Sequence, residues 1–183
     1  IEINHGIAAS GAGAGLVLTY GGGYSFAAGG TVTLSGAGGG LSMGGNTYTL
    51  VHNANDLQAI TGSGYYALAD NIDASGTASW DSGAGFAPIN GFSGVLAGLN
   101  HAIDGLTLDR SSDAAVGMFA STSGGFRDFT LSNVSIVSGG SVGALAYRLD
   151  GGSGVSNVHV TGNVTSLGGG GHVGGLVGWV DQS

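Results

Sequence analysis

Several sets of residues in this 183-residue chain have types and spacings that could do chemistry. Gly139-Gly140-Ser141-Val142-Gly143 has the Gly-x-Ser-x-Gly spacing of a nucleophile elbow, and Asp150 then His159 or His172 follow in hydrolase order. Such an elbow works by holding its serine on a strand-to-helix turn of an α/β sheet. No helix pattern follows Ser141, and with 41 glycines a match of this kind arises easily, so no catalytic triad is assigned. A second set is Asp109, Asp113 and Asp128 with Arg110 and Arg127. Carboxylates facing each other across roughly 6.5 to 9.5 Å carry out inverting glycoside hydrolysis, and a base flanked by cations suits a lyase acting on an acidic sugar. A polysaccharide-active β-helix enzyme, lyase or glycoside hydrolase, is therefore the alternative function. The five residues fall on different repeats without a paired-aspartate or Gly-His-Gly string, and read first as turn and surface residues satisfying backbone donors.

The remaining candidates concern binding. His5, His52, His101, His159 and His172 are scattered, with no i, i+4 pair and no cysteine, so neither a metal nor another cofactor is assigned. Asp70-Asn71-Ile72-Asp73 offers oxygen ligands outside EF-hand spacing, and Gly151-Gly152-Ser153-Gly154-Val155-Ser156 has serine where a calcium-binding nonapeptide needs aspartate. Asn133-Val134-Ser135 and Asn163-Val164-Thr165 are N-glycosylation sequons. The competing reading turns these asparagines inward, as rungs of a hydrogen-bonded ladder. Trp80, beside Asp81 in a loop from Trp80 to Asn90, is the candidate for contact with a sugar or partner, since an indole joins a broad apolar face to a polar N–H. Trp179 lies in a repeat strand and reads as packing.

Short strands must position all of these. Glycine fills 41 positions while hydrophobic residues still reach 42%. A disordered linker would lack those apolar residues, and a single proline without a Gly-x-y period excludes collagen. Charged residues make up only 8% of the chain; there is no lysine, and Arg110, Arg127 and Arg148 face eleven carboxylates for a net charge of −8. Nucleic acid and anionic membrane are thereby excluded as partners, because both require clustered Lys and Arg. Cysteine is absent, no apolar run approaches the roughly 20 residues of a membrane span, and Ile1-Glu2-Ile3-Asn4-His5 carries no signal-peptide pattern. Without a starting Met, the chain is expected to be a fragment of a larger protein.

Three stretches repeat one pattern: Val116-Gly117-Met118-Phe119-Ala120, Val142-Gly143-Ala144-Leu145-Ala146 and Val173-Gly174-Gly175-Leu176-Val177. They start 26 and then 31 residues apart, a spacing typical of stacked-repeat folds. A second repeat runs in phase, matching Phe126-Arg127-Asp128-Phe129-Thr130-Leu131 to Val155-Ser156-Asn157-Val158-His159-Val160. Upstream, Thr31-Val32-Thr33-Leu34-Ser35 alternates with the period two of a half-buried strand. Strands this short bury a face only by stacking coil upon coil. The expected fold is all-β: a right-handed parallel β-helix, or β-solenoid, of about six to eight coils. One short helix is predicted over residues 54–60, capped by Asn53 or Asn55, with Asp56 in its first turn. The chain divides into glycine-rich coils over 1–51, a helical insertion over 52–64 and repeat coils over 65–183 of a single β-helix.

Several strings resemble a known family. Tyr24-Ser25-Phe26-Ala27-Ala28-Gly29 to Thr31-Val32-Thr33-Leu34-Ser35, Tyr48-Thr49-Leu50-Val51, and Tyr66-Ala67-Leu68-Ala69-Asp70-Asn71-Ile72-Asp73 are similar to filamentous haemagglutinin-like adhesins of Gram-negative bacteria. Val173-Gly174-Gly175-Leu176-Val177-Gly178 resembles the GLUG motif of the same large secreted proteins, with Ala144 departing from its second glycine. The resemblance implies a non-enzymatic passenger at the bacterial cell surface, exported through an outer-membrane secretion partner. It would attach to a receptor or glycan on host cells, other bacteria or surfaces. That family's N-terminal secretion domain is not recognisable here.

Overall fold

A computed structural model describes residues 1–169 and 171–181. Strands dominate it, in about six turns of a β-solenoid with one short α-helix. The spine is a sheet in which Asn46–Val51, Tyr65–Leu68, Val95–Asp104, Gly125–Ser138 and Gly154–Ser166 lie side by side in parallel. Each strand belongs to the next coil. Two narrower sheets complete the later coils: Ala115–Val116, Ser141–Gly143 and Val173–Gly174 stack in one, Phe119–Thr122, Ala146–Leu149 and Val177–Val180 in the other. The in-phase repeat holds residue by residue, with Phe126 opposite Val155, Phe129 opposite Val158 and Leu131 opposite Val160.

Stacked aliphatic rows and aromatics fill the column. Phe92, Phe119 and Phe126 are buried together with ring centroids 4.8 to 5.7 Å apart, and each contributes roughly 1.5 to 3 kcal/mol by leaving water. The coil turns corners at single residues in the left-handed region: Asn100, Asp128 and Asn157, with φ of 69°, 60° and 51°, stack at one such bend. Asn and Asp tolerate that conformation better than other side chains. The loop from Trp80 to Asn90 is docked, because Phe86 and Ile89 are buried in the same core.

The helix spans Ala54–Gln58. Asn53 caps it by accepting from the backbone N–H groups of Asn55 and Asp56 at 2.9 and 3.0 Å, while Asp56 reaches back to the N–H of His52 at 2.9 Å. Leu57 and Ile60 enter the core, and Gln58 exchanges two 2.8 Å hydrogen bonds with the backbone of Ala87. The helix thus plugs the start of the column.

At one joint the parallel stacking expected throughout gives way. Residues 1–43 form two coils of their own, pairing Glu2–Ile3 with Ser25–Phe26, Gly6–Ala8 with Thr31–Thr33, and Leu16–Leu18 with Leu41–Met43. Gly44 and Gly45, with φ of 57° and 86°, then form a two-residue hairpin, and Leu41–Met43 pairs antiparallel with Asn46–Val51. The chain reverses, and the first coils lie back against the outer face of the spine. Strand alternation makes that possible: Leu68 and Leu96 point into the column, whereas Ala67, Ala69 and Ala97 point outward into a second core with Val32, Leu34, Leu41 and Met43. Three hydrogen bonds fasten the contact, from Leu34 N–H to Ala69 O at 2.7 Å, from Asn100 Nδ2 to Gly30 O at 2.7 Å, and between His101 Nε2 and Val32 O at 2.8 Å.

Candidate functional site

Where the first coils meet the spine, aromatic side chains converge on a groove of about 420 Å³ lined by Tyr20, Tyr24, Tyr48, Arg127 and Ser156. Tyr20 and Tyr24 flank the turn of glycines 21–23, Tyr48 follows the hairpin, and Arg127 projects from the outer face of Gly125–Ser138. The Arg127 guanidinium lies 3.9 Å from the centre of the Tyr24 ring. Its Nη2 donates to Tyr24 O at 2.8 Å and its Nε to Asp128 Oδ2 at 2.7 Å. Asp128 is buried, and its other oxygen accepts from Asn157 Nδ2 at 3.0 Å. Tyr24 stands 5.6 Å from Tyr20 and 5.7 Å from Phe26, and Tyr48 stands 5.3 Å from Tyr65.

Ionisation of the tyrosines here is suppressed. Burial drives the Tyr24 hydroxyl far above the usual tyrosine value, against the pull of Arg127. Burial, helped by the neighbouring Tyr20 and Tyr65, pushes Tyr48 up to about 12. For Arg127 burial opposes the charge most strongly of any single influence, but the hydrogen bond to Asp128 together with the charges of Tyr24, Asp128 and Tyr20 outweighs it and raises the pKa. The Tyr24 hydroxyl is buried without a hydrogen-bond partner among the described residues. The groove therefore offers neutral aromatic faces with a compensated cation at one side, a surface suited to stacking the apolar C–H face of a ring.

The residues that suggested enzyme chemistry are distributed differently. Ser141 sits in a strand, and its Oγ accepts from the His172 backbone N–H at 3.1 Å; Asp150 is held by Arg148 Nε at 2.6 Å. Arg110 pairs with Asp81 at 3.1 Å and Asp113 at 4.0 Å. Arg127 pairs with Asp128 instead, so the five candidates form two separate ion-pair groups with Asp109 exposed in a third place. No group of three or more His, Asp or Glu side chains suited to a metal occurs among the described residues. In the Asp70–Asp73 segment the oxygens serve backbone donors: Asp70 takes Asn71 N–H, Asn71 takes Ala102 N–H, and Asp73 takes Ser75 N–H. Hydrogen bonds from Ser75 lower the Asp73 pKa.

Trp80 is half-buried and stacked on Phe86, with centroids 6.3 Å apart. Trp179 is exposed, between His172 at 5.2 Å and the Arg148 guanidinium at 5.6 Å. Both sequon asparagines, Asn133 and Asn163, are exposed, which overturns the inward-ladder reading. The stacked polar bend runs instead through Asp128 and Asn157.

The repeat unit is a tight corner. A methyl group on Gly117 would come 2.7 Å from Gly143 O, one on Gly143 2.2 Å from Ala146 O, and one on Gly174 1.8 Å from Val177 O. A methyl group on Gly175 would meet nothing within 4 Å, which explains why Ala144 and Met118 can stand at the matching position. Val116, Val142 and Val173 are in register, but beyond the corner Phe119 pairs with Ala146 and not with Leu145, because the first unit turns one residue sooner. Across the corner the Phe119 N–H still donates to Leu145 O at 2.8 Å, as the Leu145 N–H does to Leu176 O at 2.9 Å.

Sequence reasoning missed the tyrosine groove. Five of the six tyrosines, Tyr20, Tyr24, Tyr48, Tyr65 and Tyr66, crowd into the first 66 residues, and Gly44-Gly45 has the form of a two-residue hairpin. Together these were the available signal.

No helix among the described residues is long and apolar enough to cross a membrane. No protein-family model and no solved structure matches the chain. A curated relative named Halomucin, from Haloquadratum walsbyi, is 40% identical over 140 residues, covering 70% of this chain. The match spans 2% of that relative's length. A β-solenoid with this likeness fits a repeat protein of surface or structural type.

Proposed function

We propose that this chain is a non-enzymatic segment of a cell-surface repeat protein that acts in attachment, the column serving as stalk and the tyrosine groove as contact. The groove carries the reading: it gathers aromatic faces at a solvent-accessible joint between two rigid coil stacks, while the aspartates that could catalyse are committed to arginines or dispersed. The partner is a saccharide, whose ring faces stack on tyrosine and whose hydroxyls exchange hydrogen bonds with phenol groups. Secretion to the surface in the manner of filamentous haemagglutinin-like adhesins, through an outer-membrane partner, is part of the same proposal and draws its support from the strings that resemble that family.

The test is binding of the purified chain to immobilised glycans and to whole cells, with Tyr20→Ala and Tyr48→Ala as variants. Each is expected to weaken binding about tenfold, equivalent to about 1.4 kcal/mol, within the range of one aromatic contact. Binding unchanged in both variants would remove the groove from the contact, and no binding to any glycan or cell would reduce the chain to a spacer.

A further inference from the structure

The two sequons stand on the outside of successive coils, and the fold treats their asparagines differently. Asn133 occupies a bend with φ of 52°. Its Nδ2 donates to Asp104 Oδ1 at 2.7 Å, an oxygen that also accepts the Ser132 hydroxyl at 2.5 Å, and its backbone N–H donates to Thr161 Oγ1 at 3.2 Å. The nitrogen that would carry a glycan is thus held by a carboxylate, the stronger kind of hydrogen-bond partner.

Asn163 is in the opposite condition. It lies in the strand Gly154–Ser166, which stacks on Gly125–Ser138. Val164 packs against the core, so alternation turns Asn163 and Thr165 outward, and both are exposed. The Asn163 amide has no hydrogen-bond partner among the described residues. Gly162 makes a corner just before it: φ is 123°, and a methyl group there would lie 2.3 Å from Val134 O. The sequon therefore begins at a corner of its coil and faces outward.

From this geometry we infer that Asn163 is the N-glycan attachment site of the folded chain and that Asn133 stays bare. The donor class is a saccharide joined through its anomeric carbon to a lipid phosphate, and an oligosaccharyl transferase supplies the catalysis. Asn163 Nδ2 attacks the anomeric carbon. The new C–N bond replaces the C–O bond to phosphate, one amide proton passes to a base of the transferase, and the lipid phosphate leaves with the bonding electrons. The inference shares with the proposed function only the requirement that the chain reach the cell exterior.

Glycopeptide mass spectrometry on the protein purified from the cells that make it tests the assignment. A saccharide mass is expected on the peptide containing Asn163 and not on that containing Asn133. Asn163→Gln and Thr165→Ala should each abolish it, while Thr165→Ser and Asn133→Gln should keep it. Circular dichroism of Asn163→Gln should match the parent, since no hydrogen bond is lost. A bare Asn163 overturns the inference, and equal occupancy of both asparagines overturns the claim that the folded chain is the substrate. Neither result depends on whether the tyrosine groove binds a saccharide, so the two readings fail separately.

Discussion

Tyr24 is the residue whose chemistry the fold constrains most. Its ring is flanked by Tyr20 and Phe26 and covered by Arg127, but its hydroxyl is buried with no partner among the described residues. An unsatisfied buried hydroxyl costs about 1 to 3 kcal/mol. Tyr24→Phe, which keeps the ring and removes that hydroxyl, should therefore stabilise the protein by about 1 kcal/mol in urea unfolding. Tyr48 carries a pH dependence. Its folded pKa of about 12 stands above the unfolded value near 10, so the fold favours the neutral phenol. Its contribution is intact below about pH 10 and is lost as pH rises through about 12. Melting temperature measured across that window should fall, and fall less steeply in Tyr48→Phe.

At the scale of elements, the repeated corner distinguishes two glycines that look alike in sequence. Gly143→Ala drives a methyl group into Ala146 O and Gly178 N, backbone that cannot yield without parting two coils. A loss of about 2 kcal/mol or more is expected. Gly175→Ala meets open space and should change stability by less than about 0.5 kcal/mol, and thermal melts of the pair decide the point. The same contrast shows what sequence can convey. Valine-glycine spacing and the Phe126 and Val155 phases announced the coils, since equivalent residues stack and the pattern must recur. The one-residue slip at Phe119 was invisible, because corner length is fixed by backbone closure and leaves the residue types unchanged.

For the whole molecule, a single sheet serves as the wall between two cores, and the groove exists only because the hairpin folds the first coils onto that wall. Hence the coil architecture was legible from periodicity, and the site was not. Its tyrosines and Arg127 are 79 to 107 residues apart, and their meeting depends on a reversal at two glycines. The cations matter at this scale too. Arg110, Arg127 and Arg148 each hold an aspartate of their own chain, while the net charge is −8. Such columns standing side by side have no spare cation to offer a neighbour. In dilute salt, where the screening length is about 30 Å at 0.01 M, they should repel over that distance. At about 0.15 M that length shrinks to about 8 Å, and the second virial coefficient from light scattering should fall accordingly. A layer of these columns would behave as a charged brush, its spacing set by the ionic strength of the surroundings.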